Sequence, residues 1–128
     1  VVINDDVEVY LRGNKLIIYG DFYIEPGVKI TPGKACKIDV YGKLLAQGTE
    51  SNLIGMQGTS TDKWGGIYFD GSSNDNSIVE YVKINYATWG VLANNASPTI
   101  NNNIILNLFK KKHLNFSGSQ VKCKLPFK

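Results

Sequence analysis

Five carboxylates in this chain of 128 residues are candidates for chemistry; they are Asp39, Asp62, Asp70, Asp75 and Glu80. Two carboxyl groups about 5 to 9.5 Å apart can cleave a glycosidic bond, one as acid and the other as nucleophile or base. A partner base is scarce, because the only arginine is Arg12 and the only histidine is His113, both remote from these acids in the sequence. We therefore predict no catalytic residue in this chain.

The segment DGSSNDN, residues 70 to 76, is rich in the oxygen ligands that Ca²⁺ prefers. Asp70, Asn74 and Asp75 are its candidate metal ligands. The segment lacks the alternating aspartates and the terminal glutamate of an EF-hand loop. Asp, Asn and Ser side chains also stabilise tight turns by bonding to nearby backbone groups, so a calcium site and an ordinary turn both remain open.

The elements that must position these residues repeat along the sequence. LIIYGDFYIEPG, residues 16 to 27, returns as IDVYGKLLAQGT, residues 38 to 49, at an offset of 22 residues. Apolar residues alternate in both copies, which is the period of a β-strand and not of a helix. The two copies align in the same N-to-C direction, which predicts that they form neighbouring parallel strands. In neighbouring antiparallel strands the equivalent residues would align in reverse order.

A second echo lies downstream at a slightly different spacing. SIVEYVKI, residues 77 to 84, aligns with SPTINNNI, residues 97 to 104, at an offset of 20. WGGIYF aligns loosely with WGVLA at an offset of about 24. Offsets of this size are typical of solenoids. We predict an all-β fold, a parallel β-helix of about five coils with 20 to 24 residues per coil, over residues 1 to 108. Residues 109 to 128 are predicted to form a basic tail, a divergent last coil or a cap.

Tyrosines occupy outward positions of the predicted strands. Tyr19 and Tyr41 are equivalent in the first repeat, as are Asp21 and Lys43, so we expect stacked rings and an opposite-charge contact between neighbouring coils. By the same alternation Tyr68 points outward. A row of exposed rings would form a platform for the apolar faces of sugars. The alternative is that the tyrosines only stack on one another and cover the sheet.

Charge is unevenly distributed, although the net charge is only +3. All 11 acidic residues lie at or before Glu80, whereas residues 81 to 128 contain seven lysines and no carboxylate. A column of parallel strands exposes unpaired backbone at both ends and needs polar caps there. The predicted capping or assembly residues are Asp5, Asp6, Lys110, Lys111 and Lys112. Because the two ends carry opposite charge, head-to-tail stacking into filaments is the alternative to capping.

In the order of these motifs, the sequence resembles the right-handed parallel β-helix domains of the pectin-lyase-like superfamily. More narrowly, it resembles uncharacterised modules of bacterial and archaeal secreted or surface proteins. The resemblance covers residues 16 to about 107 and rests on core and turn positions such as L-x-I-x-G-x-F-x-I, W-G-G-I-x-F and S-P-T-I-x-N-N. It implies an extracellular or cell-surface location. It also implies that an enzyme of this kind would place acids and an Arg or Lys base on one outward strand face.

No carboxylate of this chain recurs at the coil offset. Asp39 is predicted to lie beside a turn residue near Thr61, and Glu80 beside Ile100. Stacked carboxylates are therefore not expected, which disfavours both catalysis and a calcium site on a strand face.

These observations predict a non-catalytic extracellular or cell-surface β-helix module that acts as a scaffold or binds a polysaccharide. Two alternatives remain, a fragment of a polysaccharide lyase or glycoside hydrolase whose catalytic coils lie elsewhere, and a self-assembling, filament-forming unit. The expected partners are a polysaccharide or surface glycan, other parts of a longer parent polypeptide, or further copies of the chain. We expect no cofactor other than calcium. Nucleic acid is not an expected partner, because no binding module accompanies the lysines. A membrane span is not expected, because no run of about 18 apolar residues exists.

Overall fold

The computed structural model describes residues 1 to 4 and 8 to 109 in full, and the backbone of residues 114 to 117 and 123 to 124. These residues form sixteen short strands and no helix. The strands are short because runs of alternating apolar residues are soon interrupted by Gly, Asn, Asp or Pro. In chain order they are β1 (Val2–Ile3), β2 (Glu8–Leu11), β3 (Lys15–Ile18), β4 (Asp21–Ile24), β5 (Lys29–Pro32), β6 (Lys37–Val40), β7 (Lys43–Gln47), β8 (Ile54–Gln57), β9 (Gly66–Phe69), β10 (Ile78–Glu80), β11 (Val82–Asn85), β12 (Val91–Asn94), β13 (Thr99–Asn101), β14 (Ile104–Leu106), β15 (Leu114–Ser117) and β16 (Cys123–Lys124).

The strands form three parallel sheets, in which each strand pairs with the third strand before it and the third strand after it. Sheet A has the order β1-β4-β7-β10-β13-β16, sheet B the order β2-β5-β8-β11-β14, and sheet C the order β3-β6-β9-β12-β15. The chain therefore passes through A, B and C once per coil and then lays the next coil on the last. The predicted parallel β-helix is confirmed, and the described strands belong to five successive coils and the start of a sixth.

The inward positions of the first repeat pair as predicted. Leu16 faces Ile38 and Ile18 faces Val40 in sheet C, so like residues are stacked along the column. Fully burying one such side chain contributes about 1.5 to 3 kcal/mol, and this burial is the main attraction between successive coils. The core residues with almost no exposed surface include Val28, Ile38, Val40, Leu44, Ala46, Ile54, Met56, Trp64, Ile67, Phe69, Val79, Ile84, Val91 and Ile100.

The third coil is longer than the predicted 20 to 24 residues. Leu45 of β7 pairs with Ile78 of β10 across 33 residues. The additional residues lie in the connections 48 to 53, 58 to 65 and 70 to 77, which join strands of this coil or lead out of it. Loops on the outside of a solenoid lengthen without disturbing the stack, because only the strand positions must match.

The predicted register of the second echo is wrong by one residue. Strands β10 and β13 pair at an offset of 21, so Glu80 faces Asn101 and not Ile100. A slip of one residue moves every side chain to the other face of a sheet. The observed register places Val79 on Ile100, both fully buried, and burial of this pair explains why the offset of 21 is adopted.

The first coil leaves its inner face open at one end of the column. A cavity of about 230 Å³ lies there and has an apolar lining. The first-coil side chains that border it are only partly buried; they are Ile3, Val9, Leu11 and Leu16.

The predicted capping residues Asp5, Asp6, Lys110, Lys111 and Lys112 lie outside the described residues, as does His113. Strand β15 extends sheet C and strand β16 extends sheet A within the region 109 to 128. No helix long and apolar enough to cross a membrane occurs among the residues that the structure describes.

Candidate functional site

The tyrosines predicted to form a platform lie on the outer side of sheet C. Along β9, Ile67 and Phe69 are buried and Tyr68 points outward. Tyr19 and Tyr41 follow β3 and β6 directly, at the corner where the chain passes from sheet C to sheet A. We call this surface the tyrosine face; its members are Tyr19, Tyr41, Tyr68, Lys37 and Asp39.

Tyr19 and Tyr41 stack on each other, as predicted from their equivalent positions in the repeat. Their ring centroids are 5.3 Å apart and the ring planes differ by 24°. Beside them, Lys43 Nζ lies 3.7 Å from Asp21 Oδ2, so the predicted charge contact is also confirmed. Tyr41 is half-buried, but 75% of Tyr19 is exposed, which leaves a large aromatic surface available to a ligand.

Tyr68 does not extend this pair into a row of three. In the register of β6 and β9, Asp39, which lies two positions before Tyr41, stands opposite Tyr68. Lys37 Nζ lies over its ring, 5.2 Å from the centroid, and Asn94 Nδ2 donates a hydrogen bond of 3.4 Å to its hydroxyl. The face thus consists of the stacked pair Tyr19 and Tyr41 and, to one side of it, the ring of Tyr68 with the Lys37 ammonium over it.

Asp39 lies at the centre of the face and is only 2% exposed. It faces Tyr68 and not a turn residue near Thr61, because the enlarged third coil shifts the pairing. Its Oδ1 lies 3.4 Å from Lys37 Nζ and its Oδ2 lies 3.9 Å from Lys15 Nζ. A buried carboxylate is tolerated only when it is paired, so Asp39 holds both ammonium groups over the sheet. Oδ1 accepts no hydrogen bond within the described residues.

The electrostatics of the face keep its polar groups in defined protonation states. Partial burial, together with the negative charges of Asp39 and Asp70, raises the pKa of Tyr41 above its ordinary value near 10. Its hydroxyl therefore stays protonated at neutral pH and can donate a hydrogen bond. Hydrogen bonds from the backbone N–H and the hydroxyl of Ser72 lower the pKa of Asp70, so that carboxylate is ionised and accepts.

The segment proposed as a calcium site directs its oxygens to other groups. Asn74 Oδ1 accepts a 2.7 Å hydrogen bond from the N–H of Asn76, and Asp75 Oδ1 accepts one of 3.0 Å from the N–H of Ser97. Asp70 Oδ2 likewise accepts hydrogen bonds from the backbone N–H and the hydroxyl of Ser72. Among the described residues, no group of three or more His, Cys, Asp or Glu side chains is placed to hold a metal ion. The geometry supports the turn interpretation, and calcium binding stays a prediction without a ligand cluster.

The candidate catalytic acids are not brought together as a pair. Asp39 is bound by lysines, and Glu80 Oε1 accepts a 3.3 Å hydrogen bond from Gln47 Nε2. Asp62 belongs to an exposed turn, where its backbone N–H bonds to Thr59 Oγ1. In the paired register of the described strands, no carboxylate faces another carboxylate. The arrangement offers binding contacts rather than the acid pair that glycosidic cleavage needs.

Sequence reasoning missed Lys37 of the face and two residues that contact the face, Lys15 and Asn94. The two lysines were detectable, because they occupy equivalent positions of the first repeat and pair in register. Asn94 carried no such signal, since the residue that faces Tyr68 in the register is Leu92 and Asn94 reaches the hydroxyl from two positions further along β12.

Comparison of the chain with protein-family models, with curated proteins and with solved structures found no match.

Proposed function

We propose that this chain is a non-catalytic module of an extracellular or cell-surface protein, related to the pectin-lyase-like superfamily, and that it binds a polysaccharide through the tyrosine face. The stacked coils serve as the scaffold that holds this face rigid. The observation that carries the proposal is the exposed Tyr19–Tyr41 stack beside a buried, lysine-bound carboxylate.

The chemistry of the face suits a sugar. A pyranose ring presents axial C–H groups that pack on an aromatic ring, and the open ring of Tyr19 provides that surface. Equatorial hydroxyls need both donors and acceptors. The Lys37 ammonium and the Tyr41 hydroxyl donate, and the carboxylate of Asp70 accepts. Because these groups stand on or beside paired strands, little conformational entropy is lost when a ligand binds.

The exposure of Tyr19 favours binding over the alternative that the tyrosines only cover the sheet. A ring that served as cover would be buried by its neighbours, as Tyr41 is in part. Tyr19 instead leaves three quarters of its surface in water. A large apolar surface kept exposed in this way is typical of an interaction site.

Glycan-array binding by the purified chain tests the proposal. We expect a subset of polysaccharide fragments to bind, and Tyr19→Ala to weaken their affinity about tenfold, because a stacked ring contributes roughly 1.4 kcal/mol. Tyr19→Phe keeps the ring and should bind as the parent does.

Tyr10→Ala is the matched control. Tyr10 is also exposed, at 63%, but it lies on β2 of sheet B and bonds to Glu8 there. Its removal should leave glycan affinity unchanged. An equal loss for Tyr10→Ala and Tyr19→Ala, or no glycan binding at all, would remove the proposal.

Head-to-tail self-assembly is a second candidate, favoured by the open apolar end of the first coil. Apolar side chains there border a cavity that the next coil would fill in a continued column. We expect sedimentation velocity to show species that grow with concentration and diminish in high salt, since the ends differ in charge. An ideal monomer at high concentration and low salt would argue against stacking.

A further inference from the structure

A second groove lies on another side of the column, on the outer face of sheet B, away from the tyrosines. Its volume is about 440 Å³, within the range of roughly 300 to 1,000 Å³ that is usual for small-molecule sites. The connections 48 to 53 and 58 to 65 flank β8 and form its walls through Leu53 and Thr59. The residues that enlarge the third coil therefore build this groove.

The floor of the groove is Gly55, which in the described strands of sheet B stands in one column with the larger residues Glu8, Lys29, Lys83 and Ile104. A Cβ atom added to Gly55 would meet no atom within 4 Å, so the space directly above it is open. In register, Lys29 stands on one side of Gly55 and Lys83 on the other. The two lysines are two strands apart, about 9.6 Å at the usual strand spacing. Lysine side chains are long enough for both ammonium groups to converge above the glycine.

Lys29 stands opposite Glu8 of β2 in the register, but neither lysine of the groove forms an ion pair in the described part of the chain. The ion pairs there involve Lys15, Lys37 and Lys43 instead. If the two ammonium groups are brought together over the open slot, they repel each other unless an anion lies between them. The remaining lining combines an apolar wall at Leu53 with the amide of Gln57.

We propose that this groove binds a ligand of monosaccharide size that carries one anionic group, a carboxylate, a phosphate or a sulfate. Lys29 and Lys83 hold the anion above Gly55, and Gln57 bonds to the polar body of the ligand. This site is independent of the tyrosine face, which lies on sheet C. It stands whether or not the tyrosine face binds a glycan.

Calorimetric titration of the chain with D-glucuronate, D-glucose 6-phosphate and D-glucose 6-sulfate tests the site, with D-glucose as the uncharged control. We expect at least one anionic probe to bind at least tenfold more tightly than glucose, with affinity that falls as salt is added. The probe that binds best identifies which anion the site prefers.

Two variants locate the binding, and two others serve as controls. Gly55→Leu places a side chain on the floor, where its Cβ meets no atom within 4 Å, and should abolish binding while the thermal transition is kept. Lys83→Gln should weaken binding about tenfold. Lys34→Gln removes an exposed lysine from a turn outside the groove and should change nothing. Tyr19→Ala should also leave these affinities unchanged, which separates this site from the tyrosine face. Absence of binding by all three anions, or binding that persists in Gly55→Leu, would overturn the proposal.

Discussion

Replacing Gly42 with alanine is expected to lower the free energy of unfolding by about 3 kcal/mol, near the upper end of the usual cost of overpacking. A Cβ atom at this position would overlap the backbone carbonyl oxygens of Tyr19 and Gly20 in the coil below. Backbone cannot move aside as the end of a flexible side chain can. The two coils would have to separate at the corner between sheets C and A.

That separation would break hydrogen bonds as well as packing. Gly20 O accepts a 2.9 Å hydrogen bond from Lys43 N, and Ile18 O accepts bonds of 2.8 Å from the N–H groups of Tyr41 and Gly42. These bonds join the first two full turns of the repeat. Any shift that relieves the overlap lengthens them.

Gly20→Ala is the matched control, because Gly20 occupies the equivalent position one coil earlier. A Cβ atom there would meet nothing within 4 Å, so we expect a change within about 0.5 kcal/mol. Chemical denaturation followed by circular dichroism measures both variants. Equal losses at Gly20 and Gly42 would contradict the close stacking of the coils at this corner.

Replacing Asn103 with alanine is expected to cost about 2 to 4 kcal/mol, because it removes two hydrogen bonds to buried backbone groups. Asn103 is completely buried. Its Oδ1 accepts a 2.9 Å hydrogen bond from Val82 N, and its Nδ2 donates one of 2.9 Å to Val79 O. A single side chain therefore satisfies both backbone groups where the preceding coil turns from sheet A to sheet B.

Asn101→Ala provides the comparison within the same run of three asparagines. Asn101 is half-buried on β13, and within the described residues its side chain forms no hydrogen bond. We expect its replacement to change stability by less than about 0.5 kcal/mol. Thermal unfolding of the two variants side by side measures the difference, and a cost at Asn101 as large as at Asn103 would refute the capping role.

The parallel stack was predictable because its signal is a repeat of chemistry at a fixed offset. Leu16 and Ile38 are alike and lie 22 residues apart, and they pair as the sequence predicts. The same alignment predicted the stack of Tyr19 on Tyr41 and the contact of Asp21 with Lys43. Where two coils have equal length, periodicity alone determines which side chains touch.

Prediction failed where loops change the length of a coil. The connections 48 to 53 and 58 to 65 carry turn residues whose number does not affect the stack, so no repeat marks their length. They displaced the partner of Asp39 and formed the groove over Gly55. The buried polar contacts of Asn103 were also hidden, because an asparagine in a turn and one that caps a buried corner look the same in sequence.

The most direct test of the proposed function is an NMR titration of the ¹⁵N-labelled chain with the oligosaccharide that binds best on the glycan array. The tyrosine face predicts chemical-shift changes centred on the backbone amides of residues 17 to 20, 39 to 42 and 67 to 69, and their loss in Tyr19→Ala. Shift changes confined to sheets A and B, or a titration in which the amides of sheet C do not respond, would contradict it.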